Sequence, residues 1–252
     1  MKNNIDQLIQ LVKFLKSPDG CPWDREQTSK SLIRYMTEEM YEVIEAIEDN
    51  KPKLLKEELG DLLLHIVFQS LLAEDKKQFD FHQVIQNVIN KLEKRHLHIL
   101  YPDKYDEPDD SYEQQKMAEK NRDSVLEGIP RSLSALTKAQ RLQDKASGVG
   151  FDWRDLKPIL NKMHEEIHEL EDALKLKDSK NIKEEIGDVL FTVVNIARFL
   201  NLDSEAMLRQ ANRKFEKRFK AVERKVQSQK INMKNLRLDE LDEIWEQVKE
   251  SE

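Results

Sequence analysis

Lys56-Glu57-Glu58-Leu59-Gly60-Asp61-Leu62-Leu63 returns as Lys183-Glu184-Glu185-Ile186-Gly187-Asp188-Val189-Leu190, 127 positions further on. The same displacement carries Glu38-Glu39 and Glu42 onto Glu165-Glu166 and Glu169. Lys91-Leu92-Glu93-Lys94-Arg95 matches Lys214-Phe215-Glu216-Lys217-Arg218 at a displacement of 123, a change that a slightly shorter loop would explain. Upstream, Gly20 to Asp24 with Trp23 resembles Gly150 to Trp153. The chain therefore reads as a duplication, in which a reading of one half constrains the other. Residues 1–98 form the first repeat and 131–252 the second with a C-terminal helix. Between them, 99–130 is a linker marked by Pro102, Pro108 and the acidic run Asp103 to Asp110. A short helix is expected inside it, over Tyr112 to Asn121.

Within the first repeat, Ile5, Leu8, Ile9, Val12 and Leu15 follow helical spacing. So do Ile33, Met36, Met40, Val43, Ile44 and Ile47, then Leu55, Leu59, Leu62, Leu63, Ile66 and Val67, then Val84, Ile85, Val88, Ile89 and Leu92. In the second repeat the counterparts centre on Leu136, Met163, Val189 and Phe215, with Asp203 or Ser204 as the N-cap of the last. Short connections such as Asp49 to Lys53 predict antiparallel neighbours. With 36% charged residues, 38% apolar residues and only 6 Gly and 7 Pro in 252, the composition suits helices joined by few loops. The predicted fold is all-α, a tandem repeat of two four-helix domains.

Forty-two basic side chains against 49 acidic ones leave a formal charge of −7, which argues against coating a nucleic acid polymer or an anionic membrane. The longest apolar runs, Leu62 to Phe68 (interrupted by His65) and Val189 to Val194, fall far short of the ~20 residues of a membrane span. Cys21 is the single cysteine, so no internal disulfide can form, and no signal peptide follows Met1. A soluble, cytoplasmic protein is expected.

Chemistry is carried by two acidic quartets: Glu39, Glu42, Glu58 and Asp61, and Glu166, Glu169, Glu185 and Asp188. Each pair within a quartet is spaced i, i+3 and so shares a helix face. The spacing between pairs permits a helix hairpin in which the two acidic faces meet. At ~4 Å and an effective dielectric near 20, each like-charge pair costs about 4 kcal/mol, which a cation must offset. Oxygen-only ligands suit Mg²⁺, or Mn²⁺, and Mg²⁺ commonly completes its shell with water and substrate phosphate. Against this stands chance: roughly ten i, i+3 acidic pairs are expected in so acidic a chain. A solvated helix face has no need, however, to keep a whole quartet in register twice. Gly60 and Gly187, each mid-helix at a cost of about 1 kcal/mol, point either to close helix approach or to room beside a metal.

Polyphosphate would need basic partners. Lys214 and Arg218, one turn apart, are candidates, as are Lys91 and Arg95 in the first repeat, and more weakly Lys183 and Lys56. Trp245, in the amphipathic tail Leu238 to Val248, either stacks on a base or anchors a terminal helix. Trp23 and Trp153 read as structural.

Gly20-Cys21-Pro22-Trp23-Asp24, Glu38-Glu39-x-x-Glu42, Glu58-x-x-Asp61, Arg95-His96-x-His98, Ile129-Pro130-Arg131-Ser132-Leu133, Val149-Gly150-Phe151-Asp152-Trp153, Glu165-Glu166-x-x-Glu169 and Glu185-x-x-Asp188 span nearly the whole chain. Together they resemble the MazG family of nucleoside triphosphate pyrophosphohydrolases in its two-repeat form. The resemblance implies an all-α pyrophosphatase fold, Mg²⁺ dependence, a homodimer, and hydrolysis of NTPs or dNTPs to the monophosphate and pyrophosphate. It further implies that Glu166, Glu169, Glu185 and Asp188 hold metal, Lys214 and Arg218 bind phosphate, and Trp245 contacts the nucleoside. The C-terminal site usually carries most activity in such proteins, although the first repeat here keeps all four acids with Lys91 and Arg95. Leu97 departs from the Pro that relatives tend to place between the two histidines, which touches that loop and not the acids.

The expected mechanism is metal-assisted hydrolysis at the α-phosphate, with Glu165 or Glu38 orienting the attacking water. Two rivals remain open on the residues alone. Glu165-x-x-His168 fits the Glu-x-x-His of di-iron carboxylate bundles, although Tyr41 stands at the matching place in the first repeat. A noncatalytic helical dimer could equally use the charged faces to bind a protein partner.

Overall fold

Proline or aspartate sets several of the helix starts. In the computed structural model, which describes residues 4–105 and 123–251, α1 (Asn4–Leu15), α2 (Pro22–Glu26), α3 (Ile33–Glu48), α4 (Pro52–Asp75), α5 (Phe81–Arg95) and α6 (Leu97–Leu100) precede the linker. After it come α7 (Ala135–Ser147), α8 (Leu156–Leu176), α9 (Ser179–Phe199), α10 (Ser204–Ser228), a 3₁₀ turn (Met233–Asn235) and α11 (Leu238–Glu250). No strand occurs among the described residues, and no helix among them is long and apolar enough to cross a membrane. The helix expected over Tyr112 to Asn121 lies outside the described residues.

Contacts divide the chain into two units, residues 1–107 and 108–252. In the first, Pro52 opens α4 at a position whose N–H has no helical partner to lose. Asp80 caps α5 by accepting from Gln83 N at 2.8 Å while Gln83 Oε1 accepts from Asp80 N at 3.0 Å. In the second, Asp178 caps α9 and Asp203 caps α10, the latter accepting from Ala206 N at 2.7 Å. Asn50 and Lys177, which correspond in the repeat, both take left-handed backbone, φ 52° and 54°, to reverse the chain between α3 and α4 and between α8 and α9.

These two hairpins are the packing centre of their units. Around the first, Ile9 and Val12 of α1, Leu32, Val67, Phe68 and Leu71, and Phe81 of α5 form one buried cluster. Each fully buried side chain of this kind contributes roughly 1.5–3 kcal/mol. In the second unit Ile159 and Val194 are buried in the hairpin, while Val222 and Val226 of α10 meet Ile244 and Val248 of α11.

Three expectations change. The drop in displacement from 127 to 123 lies mostly in a helix rather than a loop: α4 runs to Asp75, whereas α9 stops at Phe199, the equivalent of position 72. Close helix approach does not explain Gly60 or Gly187, because a Cβ at either would meet nothing within 4 Å. Periodic apolar residues mark the helices but are not all covered: Ile33, Met40 and Ile47 of α3 and Val88, Ile89 and Leu92 of α5 remain over a third exposed.

Candidate metal centres and the adjoining cavity

Each hairpin brings its two acidic helix faces together. One carboxylate oxygen apiece from Glu39, Glu58 and Asp61 lie within 4.8 Å of one another, and so do those of Glu166, Glu185 and Asp188. Glu42 and Glu169, the fourth members, are exposed at the rim of these clusters. They are near enough to be felt electrostatically. Burial first, then the charges of Glu42, Asp61 and Glu58, push Glu39 above the ordinary glutamate range. Burial and then Glu42, Glu57 and Asp61 do the same to Glu58, and burial with Glu169, Asp188 and Glu166 to Glu185. Carboxylates crowded in this way, with no nitrogen or sulfur donor in the triad, fit a hard divalent cation, whose charge would oppose those shifts.

The two clusters differ in their neighbours. Lys162 Nζ donates to Glu165 Oε1 at 2.6 Å and lies 2.7 Å from Glu166 Oε1. These bonds, to Glu165 and then Glu166, push its ammonium above the usual lysine range. The equivalent of Lys162 in the first repeat is Tyr35. There the near neighbour is His65, whose Nε2 stands 3.9 Å from Glu39 Oε1. Burial pushes the His65 imidazole down, opposed by Asp61, and its Nδ1 is buried without a partner among the described residues. His168, by contrast, is 70% exposed and pairs with Asp172 at 3.3 Å, outside the cluster, so the di-iron pattern is not assembled.

Beside the second cluster opens a cavity of about 470 Å³, with Glu166 and Asp188 in its wall. Phe151, Asp152, Trp153, Gln143, Asn195 and Arg198 also line it. Arg198 grips Asp152 in a bidentate pair, with Nη1 to Oδ2 at 2.9 Å, and its Nε donates to Asn195 Oδ1 at 2.9 Å. Ser147 Oγ and Trp153 N also donate to Asp152, at 2.7 and 2.8 Å. Gly150, at φ 90°, turns the chain into this loop, where an L side chain would be strained. Gly20, its partner in the repeat, is required for another reason: a Cβ would lie 2.2 Å from Phe14 O.

Of the remaining sequence candidates, Glu38 is exposed beside the first cluster, and Glu165 is bonded to Lys162. Lys183 is exposed on α9, Lys91 on α5 and Lys214 on α10, while Arg95 and Arg218 are half-buried. None of Lys214, Arg218 or Trp245 lines the cavity at the second cluster. Trp245 packs its ring 5.4 Å from that of Phe215, beside the α10–α11 core. Sequence reasoning missed Lys162, although its place three and four residues before Glu165 and Glu166 is the i, i+3 and i, i+4 spacing of helix ion pairs.

The MazG nucleotide pyrophosphohydrolase domain profile matches residues 27–100 and again 154–223, which takes in both hairpins. A nucleoside triphosphate pyrophosphohydrolase/pyrophosphatase MazG from Thermotoga maritima is 41% identical over 249 residues, covering 97% of this chain and 95% of that protein. A nucleoside triphosphate pyrophosphohydrolase of Escherichia coli K12 is 40% identical, covering 99% of this chain and 98% of its own length. YabN of Bacillus subtilis is 38% identical over 96% of this chain and 51% of its own. With the family domain present twice and full-length similarity at this level, the chain belongs to the MazG nucleotide pyrophosphohydrolase family.

Proposed function

We propose that the protein hydrolyses nucleoside triphosphates, ribo or deoxy, to the monophosphate and pyrophosphate. The observation that carries this reading is the recurrence of a three-carboxylate oxygen cluster in both hairpins of a chain of this family. Mg²⁺, or Mn²⁺, would be held by Glu166, Glu185 and Asp188 with Glu169 beside them, and by Glu39, Glu58 and Asp61 with Glu42. The ion would polarise the phosphate and make water more acidic. Glu165 accepts the proton of the water that attacks the α-phosphorus, a role Glu38 would take in the first repeat. The bond from that phosphorus to the bridging oxygen breaks, and pyrophosphate leaves. Lys214 and Arg218, one turn apart on α10, are assigned to the phosphates, with Lys183, Lys91 and Arg95 as weaker candidates. Packing of Trp245 against Phe215 favours the anchoring role for that ring over base contact.

A homodimer is part of the reading. Ile186, Leu190 and Val193 leave an apolar stripe on α9 that the second unit does not cover, and a second copy would bury it. A cytoplasmic setting accords with the unpaired Cys21. Chromatography of the products from a panel of NTPs with Mg²⁺ tests the reaction, with Glu39→Ala and Glu185→Ala assayed separately. Pyrophosphate with NMP is expected, and Glu185→Ala should abolish most turnover. Nucleoside diphosphate with orthophosphate would contradict the assignment, and turnover lost only in Glu39→Ala would move the main site to the first repeat.

A further inference from the structure

One of the best-buried polar side chains of the second unit has no part in the reaction proposed above. Lys145, in the last turn of α7, is 3% exposed, and its Nζ donates to Val125 O at 2.8 Å, 20 residues back in the chain. An ammonium group is costly to bury, because protein oxygens must replace the water that solvates it. Packing alone does not ask for one here. On the displacement of 130 that carries Ser17, Gly20 and Trp23 onto Ser147, Gly150 and Trp153, Leu15 stands at this place in the first repeat. At the displacement of the acids, Phe68 and Leu71 of the first unit's buried core stand where Asn195 and Arg198 border the cavity in the second. The lysine therefore goes with the open volume, and the leucine with the filled core.

What the lysine holds is a strap. Residues 123–128 make a tight turn in which Leu126 N donates to Ser124 Oγ at 3.2 Å, Glu127 N donates to Ser124 O at 3.1 Å, and Gly128 reverses the chain at φ 77°. Those bonds shape the turn from within, whereas the one from Lys145 ties it to α7. Leu126, carried on this turn, lines the cavity whose wall includes Glu166 and Asp188 of the acidic cluster. The helix that supplies the tie is itself fixed: Gln140 Nε2 donates to Leu202 O at 3.0 Å, and Gln140 Oε1 accepts from Ser204 N at 2.8 Å. Lys145 is not part of the cavity wall, although Gln143 and Ala146 near it in sequence are, so it acts on a bound molecule only through the strap.

We infer that Lys145 is a positioning residue of the second unit: it latches the 123–128 strap to α7, so that Leu126 closes one side of the cavity around the substrate. The inference rests on the nucleotide reading above and adds to it a wall that is held in place by a buried charge.

Hydrogen exchange across the strap and steady-state kinetics, both on the full chain, test this. Lys145→Met keeps the apolar stem and removes the donor. Exchange over residues 123–130 should then speed up at least about tenfold, and the KM for ATP should rise several-fold while kcat stays within about twofold and Mn²⁺ uptake is unchanged. Lys145→Arg restores a donor and should bring KM back toward wild type. Leu126→Ala alters a side chain 43% exposed, too open to threaten folding, and should raise KM with the latch intact, which keeps the inference testable where Lys145→Met fails to fold. Exchange across the strap at the wild-type rate in Lys145→Met, or a KM within about twofold of wild type in Leu126→Ala, overturns the inference. So does an arginine variant no better than the methionine one, which would make the role one of packing. The exchange arm is read whether or not triphosphate is cleaved. A protein that cleaves no NTP, yet whose strap loosens in Lys145→Met, would end the pyrophosphohydrolase reading and keep the latch.

Discussion

The Asp152–Arg198 pair ties the loop after α7 to the end of α9, across 46 residues of sequence. Hydrogen bonds from Arg198, and then from Ser147, hold the Asp152 carboxyl below its ordinary value. A depressed carboxyl stabilises the fold above its unfolded pKa and loses that contribution as pH falls through the folded one. Asp152→Asn is therefore expected to cost about 2 kcal/mol at neutral pH, with the deficit against wild type shrinking below about pH 4. Thermal melts of both proteins across that range check it, and a constant deficit would show that the charge plays no part. The acids of the clusters were legible beforehand because i, i+3 spacing is a local property that helix geometry turns directly into a shared face. Asp152 with Arg198 was not, since nothing local announces a contact that depends on how α7 and α9 pack. Lys162 was within local reach, yet a lysine near glutamates is unremarkable where 36% of residues are charged.

At the scale of elements, the sequence periodicities located every long helix among the described residues, and Asp203 stood out as a cap because a short acceptor precedes a periodic run. Asp80 and Asp203 lie 123 apart and cap α5 and α10 alike, so the second displacement is anchored at both helix starts. Asp203→Ala removes the acceptor for Ala206 N and should lower stability by about 1 kcal/mol, measured by urea unfolding with an unchanged slope. What periodicity could not reveal is which apolar stripe meets a neighbour inside the chain. The helical spacing in α3 and α5 is as clean as that in α4, yet of these three it is α4 that sends a run of residues, Val67, Phe68 and Leu71, into the buried cluster, with Phe81 from the start of α5. The fill of the cavity positions was equally silent, because Asn195 and Phe68 differ without disturbing the helical pattern around them.

For the whole molecule, the uncovered stripe on α9 sets an expectation for mass. Analytical ultracentrifugation should find twice the 29.8 kDa chain, and Leu190→Glu with Val193→Glu should shift it to the monomer. A wild-type monomer at micromolar concentration would remove the homodimer from the reading. The resting charge of the two clusters differs as well. Lys162 already stands against Glu166 as an internal counter-ion, whereas the first cluster has Tyr35 at that place. An arriving ion must evict an ammonium group in one unit and not in the other, so Mn²⁺ titration should be biphasic, the first unit loading at the lower concentration. Lys162→Met should merge the phases by tightening the weaker one. It should at the same time loosen ATP, because eviction would free the lysine beside the incoming polyphosphate: loading the ion would arm the second unit for its anion, which Tyr35 at the matching place in the first cannot do.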